Sequence, residues 1–349
     1  MFARYVEPAD AERAVALGIK RIVGGLDPYS YYLSAQERGE ARQSLVRGGE
    51  SGLTLRLVHT AGGSNHLEVV GVRKDSSAGR QAMRIGDHVL RIGRVSARDF
   101  LNQAGVELAL RGQPGERRQL WVQRSEQAGP EWIELELARV TRREEVTARL
   151  VQDDSRSYLL LTIRSFRSGT GERVADLRAE YLRRRENRRF DGIILDLRGN
   201  PGGEVDEALV VADQFLATGV LTRTRGRGGR VLREERAHPA GTDEETPLVV
   251  VQDRYTASVA ELLSVALQDH GRAVVVGERS YGKGTVQDVI GMEDGSVLTL
   301  TIARYFSPHD RMIDKNGVPP DVPVGGGGVS ARRRQLETAV RQLRMVQSP

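Results

Sequence analysis

The sequence predicts an α/β protein, and three observations support this. Beyond the charged stretch at 141–145, predicted strands and helices alternate, as in βαβ units on a largely parallel sheet. From Gly48 to about Arg142, short runs of alternating apolar and polar residues are separated by Gly-rich turns, which indicates a compact β-rich module. Residues 1–47 carry apolar positions at helical spacing, so they predict a short helical segment.

The individual elements follow from these periodicities. Strands of the β-rich module are predicted at 53–57, 67–72, 88–92, 119–122 and 133–137. In the α/β part, strands are predicted at 158–163, 192–197, 248–251 and 273–276, and helices at 174–185, 204–216 and 258–269. Near the end we predict strands at 297–303 and 305–306, a glycine joint at 325–328 and a helix at 332–345. The predicted domains are therefore 1–47, 48–142, 143–324 and 325–349.

Composition limits the classes of protein. With 349 residues, of which 28% are charged and 39% hydrophobic, the chain predicts a soluble protein of two or three domains. It has no Cys, which excludes disulfides and thiol chemistry without indicating a compartment. Arginine patches contribute to a net charge of +5, but no pattern of interleaved aromatic and basic residues accompanies them, so no nucleic-acid partner is expected. No apolar run is long enough to span a bilayer, and residues 1–5 do not resemble a signal peptide.

Ser258 and Lys283 are the strongest candidates for chemistry. A serine hydroxyl needs a base to take its proton, and a lysine that burial keeps neutral can serve as that base. Ser258 begins the predicted helix in Ser258-Val259-Ala260-Glu261, which also matches a capping box. Lys283 lies between two glycines, which would let its backbone approach another segment closely, although an exposed loop lysine is the simpler interpretation. Gln287 follows four residues later and could orient the amine.

Two glycine-containing turns could bind oxygen atoms of a substrate. The turn Asn200-Pro201-Gly202-Gly203 follows a predicted strand, and its Gly203 amide could form an oxyanion hole with the Val259 amide. A tight turn between a strand and a helix would explain the same glycines. The loop before the first strand of the β-rich module, which includes Gly52, Leu53 and Thr54, could hold the terminal carboxylate of a peptide that adds as a strand. Otherwise that loop is only the start of a hairpin.

Metal and nucleotide sites are not predicted. The chain has six histidines, and we expect all of them at the surface because none shows a paired spacing for metal ligation. No phosphate-binding loop of the Gly-x-x-x-x-Gly-Lys-Ser/Thr type is present in the sequence.

Taken together, these pieces resemble the C-terminal processing peptidases, or tail-specific proteases, of the S41 serine peptidase family. The likeness covers nearly the whole chain in the family's order. The segments that carry it are Gly25 to Leu33, Ile85 to Gly93, Leu195 to Gly203, Ala266 to Ala273, Val276 to Arg279, Tyr281 to Gln287 and Gly317 to Val322.

The resemblance implies a fold and a mechanism. It implies a crotonase-like (ClpP/crotonase-type) α/β core with an inserted PDZ domain, and a serine endopeptidase that cleaves proteins near their carboxyl termini. In that family's pattern, Ser258 matches the nucleophile, Lys283 the general base and Gln287 the glutamine that often completes the Ser-Lys dyad. Gly203 and Val259 fall on the oxyanion amides, with Gly202 as the neighbouring choice for the first of them. Gly52, Leu53 and Thr54 form a loose version of the PDZ carboxylate loop.

The resemblance also implies the surroundings of the enzyme. Substrates would be proteins or peptides with accessible C-terminal tails, no metal or cofactor is expected, and the location would be the bacterial cell envelope. An activating adaptor and a homo-oligomer stay open as partners. Two other functions are alternatives: a catalytically inactive PDZ-containing binding protein on the same fold, with an exposed Lys283, and a crotonase-like enzyme acting on a thioester.

Overall fold

The computed structural model describes residues 10–59, 65–73, 76–124, 129–139, 145–239, 241–326 and 328–346. The chain divides into two compact units. Unit 1 comprises Met1–Thr141 and Gln287–Thr301, and unit 2 comprises Arg142–Val286 and Ile302–Pro349. The predicted boundary between residues 142 and 143 lies outside the described residues, and the predicted domain limits stay predictions.

Unit 1 begins with two helices separated by a strand. Helix α1 spans Ala11–Gly24, strand β1 Tyr31–Leu33 and helix α2 Ala35–Arg47. The predicted helical segment over residues 1–47 did not include β1, which pairs antiparallel with Val297–Thr299. The turn before β1 is fixed by Asp27, whose carboxylate accepts from the amides of Tyr29 and Ser30, each at 2.8 Å. Such Asx-type bonding favours a turn over a continued helix.

The β-rich module of unit 1 has the predicted strands. Its elements are β2 (Gly49–Glu50), β3 (Leu53–His59), β4 (Asn65–Val72), α3 (Ser77–Arg80), β5 (His88–Ile92), β6 (Val95–Ser96), α4 (Gln103–Ala109), β7 (Arg111–Gly112), β8 (Arg117–Gln123), β9 (Glu131–Glu136) and β10 (Ala138–Arg139). One sheet has the order β3-β4-β5-β8-β9 with β6 beside β5, and a small sheet has the order β10-β2-β7. Alternate residues such as Leu55, Leu67, Val89 and Leu120 form the buried core, as the period of two predicts.

Unit 2 contains the predicted parallel sheet. Its elements are β11 (Val146–Asp153), β12 (Arg156–Ile163), α5 (Thr170–Arg184), β13 (Gly192–Asp196), α6 (Val205–Asp213), β14 (Val220–Gly226), β15 (Val231–Arg236), β16 (Leu248–Gln252), α7 (Val259–Asp269) and β17 (Ala273–Gly277). Strands β18 (Thr285–Gly291) and β19 (Val297–Phe306) follow, and their residues within Gln287–Thr301 belong to unit 1. Unit 2 ends with β20 (Val322–Pro323) and α8 (Gly328–Val346). The main sheet has the order β11-β12-β13-β16-β17-β20. Only β11 pairs antiparallel, and the other pairs are parallel. The α/β prediction is confirmed.

Both faces of this sheet are covered, which explains its nearly continuous apolar strands. On one face Leu159, Leu195 and Val250 pack in a cluster with residues of α5, α6 and α7. On the other face Leu160, Ile194 and Val249 pack with Ala339 and Leu343 of α8. Strands buried on both sides lose the alternation of polar residues, as is typical of parallel sheets.

The segments outside the main sheet were predicted less well. Strands β14 and β15 form an antiparallel hairpin that the periodicity does not predict. The two strands predicted at 297–303 and 305–306 are one strand, β19, whose residues Ala303–Phe306 pair with β14. Helix α8 begins four residues before the predicted start at 332.

The parallel order places three loops at one edge of the main sheet. Strands β13, β16 and β17 lie side by side, so the segments that follow Asp196, Gln252 and Gly277 all leave from their carboxyl ends. Working sites of open α/β sheets gather at this edge. The segments that carry Gly203, Ser258 and Lys283 are these three.

Candidate active site

Ser258 holds a backbone conformation that is unusual for a serine. It precedes α7 with φ 59° and ψ −126°, whereas a helix N-cap normally has β-region dihedral angles. A positive φ in a residue with a Cβ is strained by about 1–3 kcal/mol and persists only where the surroundings enforce it. Ser258 is half-buried. Its strained position at the start of a buried helix is the kind of feature that clusters at functional sites.

A buried carboxylate, Glu261, connects Ser258 to the Lys283 loop. Its Oε2 atom accepts hydrogen bonds from the Ser258 amide at 2.8 Å and from the Lys283 amide at 2.9 Å. Its Oε1 atom accepts from the Gly282 amide at 2.7 Å and from the Ser280 hydroxyl at 2.5 Å. Glu261 is completely buried, and this burial raises its pKa against the opposing effect of these hydrogen bonds. One side chain therefore fixes the main chain of both predicted reactive residues.

Lys283 lies in a loop that approaches another segment closely, as its flanking glycines predict. A Cβ added at Gly282 would lie 3.0 Å from the Gly317 nitrogen, and one added at Gly284 would clash with the backbone of Asp314. The Lys315 amide donates to the Gly282 carbonyl at 2.9 Å, which fixes this approach. Lys283 itself is half-buried rather than exposed. The binding-protein alternative predicts an exposed Lys283, and the half-buried position differs from that prediction.

The turn at Gly202-Gly203 lies directly against Ser258. A Cβ added at Gly202 would be 2.8 Å from the Ser258 Cβ, and one added at Gly203 would clash with the Phe166 carbonyl. Both glycines have positive φ, 102° and 142°. Only glycine combines that backbone conformation with so close an approach.

The amides around Ser258 distinguish Gly202 from Gly203. The Gly202 amide donates to the side-chain oxygen of Asn200 at 2.8 Å, so it is already satisfied. Within the described ranges, neither the Gly203 amide nor the Val259 amide has a hydrogen-bond acceptor. The Val259 amide also lies at the positive end of the α7 dipole. Two unsatisfied donors near a nucleophile are what an oxyanion hole requires.

Buried polar side chains hold these loops together. Asn200 is fully buried, donates to the Ile163 carbonyl at 3.0 Å and accepts from the Ala257 amide through its own carbonyl at 2.8 Å. Asp253 accepts from the amides of Gly199 at 2.9 Å and Tyr255 at 3.1 Å, and burial raises its pKa. The Gly202-Gly203 turn and the Ser258 loop are therefore bonded to each other through main-chain atoms.

Gln287, the predicted third member of the catalytic group, belongs to unit 1. Its side chain is held there by a series of hydrogen bonds between side chains. Its Nε2 atom donates to the Thr301 hydroxyl at 3.3 Å. The Thr301 hydroxyl donates to the Asp27 carboxylate at 3.1 Å. Burial opposes ionisation of Asp27, but hydrogen bonds from Ser30, Tyr29 and Thr301 outweigh it and lower the pKa. The role of Gln287 stays a prediction.

The predicted peptide loop also lies in unit 1. Gly52 has φ 74°, and a Cβ there would clash with Ser76. The Leu53 amide donates to the Ser51 hydroxyl at 3.3 Å, and Thr54 pairs with Gly71 of β4. These contacts place the loop at the start of edge strand β3 and leave its binding role a prediction.

No group of three or more His, Asp or Glu side chains in the described ranges could hold a metal ion. None of the helices in the described ranges has the length and apolar character needed to cross a membrane.

Sequence reasoning missed most residues that support the site. Glu261 was recognised only as part of a capping box, and Asn200, Asp253 and Thr301 received no role. The available signal was weak: each is a polar residue in a predicted buried element or turn, and such residues need partners when buried. Their partners lie many positions away in the chain, so spacing alone does not reveal them.

The sequence matches proteins of a known family. Residues 157–324 match the model of peptidase family S41. The carboxy-terminal-processing protease of Bartonella bacilliformis is 30% identical over 325 residues, which cover 92% of this chain and 72% of that protein. The carboxyl-terminal-processing protease of Synechocystis is 30% identical, with 92% and 74% covered. Carboxy-terminal processing protease CtpA of Bacillus subtilis is 27% identical, and the chain spans 65% of its length.

The fold has a solved counterpart. The photosystem II D1 C-terminal processing protease superimposes with a TM-score of 0.80 at 24% identity, covering 97% of this chain and 88% of that one. At 24% identity, this likeness shows the mixed α/β fold. The 30% identity to the Bartonella and Synechocystis proteases, across most of each chain, shows the family: the chain belongs to peptidase family S41, among the carboxy-terminal-processing serine proteases.

Proposed function

We propose that this protease cleaves proteins near their C-terminal tails with Ser258 as nucleophile and Lys283 as general base. The observation that carries the proposal is the shared anchor Glu261, which accepts from the main-chain amides of both residues. A nucleophile and its base must be held in one geometry, because a displacement of about 1 Å can lower the rate about 100-fold. A common buried carboxylate supplies that constraint.

The reaction follows from the chemistry of these groups. The neutral Lys283 amine takes the proton of the Ser258 hydroxyl while its oxygen attacks the peptide carbonyl carbon. The amides of Gly203 and Val259 donate to the oxyanion that forms. The protonated lysine then gives its proton to the leaving amine, the C–N bond breaks and an acyl-enzyme remains. Water, deprotonated by Lys283, attacks the ester and releases the carboxylic acid product.

The remaining parts of the proposal concern substrate and location. The β-rich module is a PDZ domain on a crotonase-like core, and β3 with the loop at Gly52, Leu53 and Thr54 recognises the tail by strand addition. Gln287 is the third member of the catalytic group. The carboxy-terminal-processing activity in the names of bacterial and chloroplast relatives supports a tail-directed enzyme. Its proposed location is the bacterial cell envelope.

Cleavage of casein followed by mass spectrometry tests the catalytic roles. We expect cuts by the parent chain and none by Ser258→Ala or Lys283→Ala. Lys283→Arg keeps the positive charge but cannot lose a proton near neutral pH, so it should be equally inactive.

The control for these variants is Lys315→Asn. Lys315 is an exposed lysine of the same unit, its bond to Gly282 comes from the main-chain amide that the substitution keeps, and its φ of 64° suits asparagine. This variant should cut casein at the parent rate. Digestion by Ser258→Ala at the parent rate would contradict the proposal.

A further inference from the structure

The edge of strand β3 that faces away from β4 forms hydrogen bonds with the side chain of Gln103. β3 is the first strand of its sheet and pairs only with β4 among the described strands. The Leu57 amide donates to Oε1 of Gln103 at 2.9 Å, and Nε2 of Gln103 donates to the Leu55 carbonyl at 2.8 Å. A side-chain amide thus offers one acceptor and one donor to main-chain groups of β3, as the backbone of an added strand would.

Gln103 is held in place by the start of helix α4. The preceding residue, Asn102, caps the helix by accepting from the Gly105 amide at 2.8 Å. Gln103 is the first helical residue, and its bonds reach residues 46 and 48 positions earlier in the chain. Two well-aligned bonds from one short side chain are specific, because the amide oxygen and nitrogen must both face the strand.

We infer that Gln103 closes this strand edge and competes with the peptide tail for it. This inference rests on the proposed tail recognition by β3. An incoming peptide that pairs with Leu55 and Leu57 must first displace the side-chain amide, because that amide lies against this edge and the Leu57 N–H has only one hydrogen to donate. Gln103 then sets a threshold: tails that bind β3 weakly leave the edge closed, and tails with additional contacts open it.

The size of the threshold follows from the two bonds. A net hydrogen bond of the neutral type changes an equilibrium constant by roughly 2- to 12-fold. Removing both bonds with Gln103→Ala should therefore tighten tail binding by about 5- to 150-fold. Gln103→Glu keeps an acceptor for the Leu57 amide but removes the donor to Leu55, so it should lie between the parent and the alanine variant.

Binding is measured on the full chain with Ser258→Ala added to prevent cleavage. The probe is a fluorescein-labelled decapeptide with a flexible Gly-Ser start, the ending Val-Ala-Ala and a free carboxylate, followed by fluorescence anisotropy. Its amidated form tests the need for the carboxylate. Gln119→Ala is the matched control, because Gln119 is an exposed glutamine of strand β8 in the same sheet, and β8 does not pair with β3.

The second measurement needs no ligand. Amide hydrogen exchange in residues 53–59 should speed up in Gln103→Ala at Leu57, whose amide loses its acceptor, and stay unchanged in Gln119→Ala. Unchanged exchange at Leu57 would overturn the inference, as would equal peptide affinity in parent and Gln103→Ala, including no binding by either. The catalytic roles of Ser258 and Lys283 are judged separately by casein cleavage, so the two failures can be told apart.

Discussion

Replacing Glu261 by glutamine tests the shared anchor of the site most directly. The substitution keeps the shape of the side chain and exchanges one oxygen for an NH2 group. At the Oε2 position that group would face two main-chain donors, from Ser258 and Lys283. At the Oε1 position it would face the Gly282 donor and the Ser280 hydroxyl, which can rotate to accept. The amide should therefore keep its oxygen on Ser258 and Lys283 and lose the bond to Gly282.

The magnitude follows from the bonds that change. Loss of a hydrogen bond to a charged acceptor, with a buried donor left unsatisfied, costs about 1.5–3 kcal/mol. The bonds that remain become neutral and each weakens by about 1 kcal/mol. The variant no longer buries a charge, which offsets part of this loss. We expect the free energy of unfolding to fall by about 3 kcal/mol. The value of kcat/KM should fall only about tenfold, because the side-chain oxygen that accepts from the Ser258 and Lys283 amides is kept.

The assay must report on unit 2. Both tryptophans, Trp121 and Trp132, lie in unit 1, so their fluorescence during urea unfolding serves as an internal reference. Far-ultraviolet circular dichroism reports on the helices of both units. The variant should shift the dichroism transition to lower urea and leave the fluorescence transition in place.

Two further variants define the scale of the effect. Glu261→Ala removes all four acceptor contacts and should be less stable and less active than the glutamine variant. Ser264→Ala is the control, since Ser264 is fully buried on the same helix and makes one bond, to Gln252 at 2.7 Å. It should lose about 1 kcal/mol and keep full activity. A glutamine variant within about 0.5 kcal/mol of the parent would refute the reasoning.

Two other predictions concern strain and acid stability. Ser258→Gly should abolish casein cleavage yet raise the free energy of unfolding by about 1 kcal/mol, because glycine adopts φ 59° without strain. Ser258→Ala keeps the strain, so it should be less stable than the glycine variant. Equal stability of the two variants in urea would contradict this. The lowered pKa of Asp27 stabilises unit 1 above the ordinary value of 3.8, and this contribution disappears as the pH falls through the lowered pKa. Asp27→Asn should therefore flatten the acid dependence of the tryptophan-detected urea midpoint, and an unchanged slope would show that other carboxyls control it.

The sequence was a good guide wherever periodicity matched burial. The main sheet of unit 2 was predicted because its strands are continuous apolar runs, and its observed parallel order brings the segments that carry Gly203, Ser258 and Lys283 to one edge. Strands β14 and β15 were not predicted. Their sequences, VLTRTRG and VLREER, are rich in arginine and glutamate, and β15 is exposed on both faces, so no hydrophobic period marks it.

The contacts of Gln103 show a second limit. Nothing in the sequence around Gln103 distinguishes it from any polar residue in the first turn of a helix. Its significance comes from two main-chain groups of β3, and a residue's bonds to distant backbone leave no pattern in composition or spacing. Supporting residues of this kind become visible only when the fold has brought the segments together.

Ser258 and Glu261 show how the same short pattern supports two readings until its long-range partners are known. A capping box accounts for the bond between the Glu261 carboxylate and the Ser258 amide, but for none of the bonds to Ser280, Gly282 and Lys283. Nor does it account for the strained φ of Ser258, since an ordinary cap adopts relaxed β-region angles. A residue needed only to begin a helix would have no reason to retain strain or to share its buried partner with the Lys283 loop. The combination favours catalysis over capping, and it depends on bonds that span 19 to 22 residues of the chain.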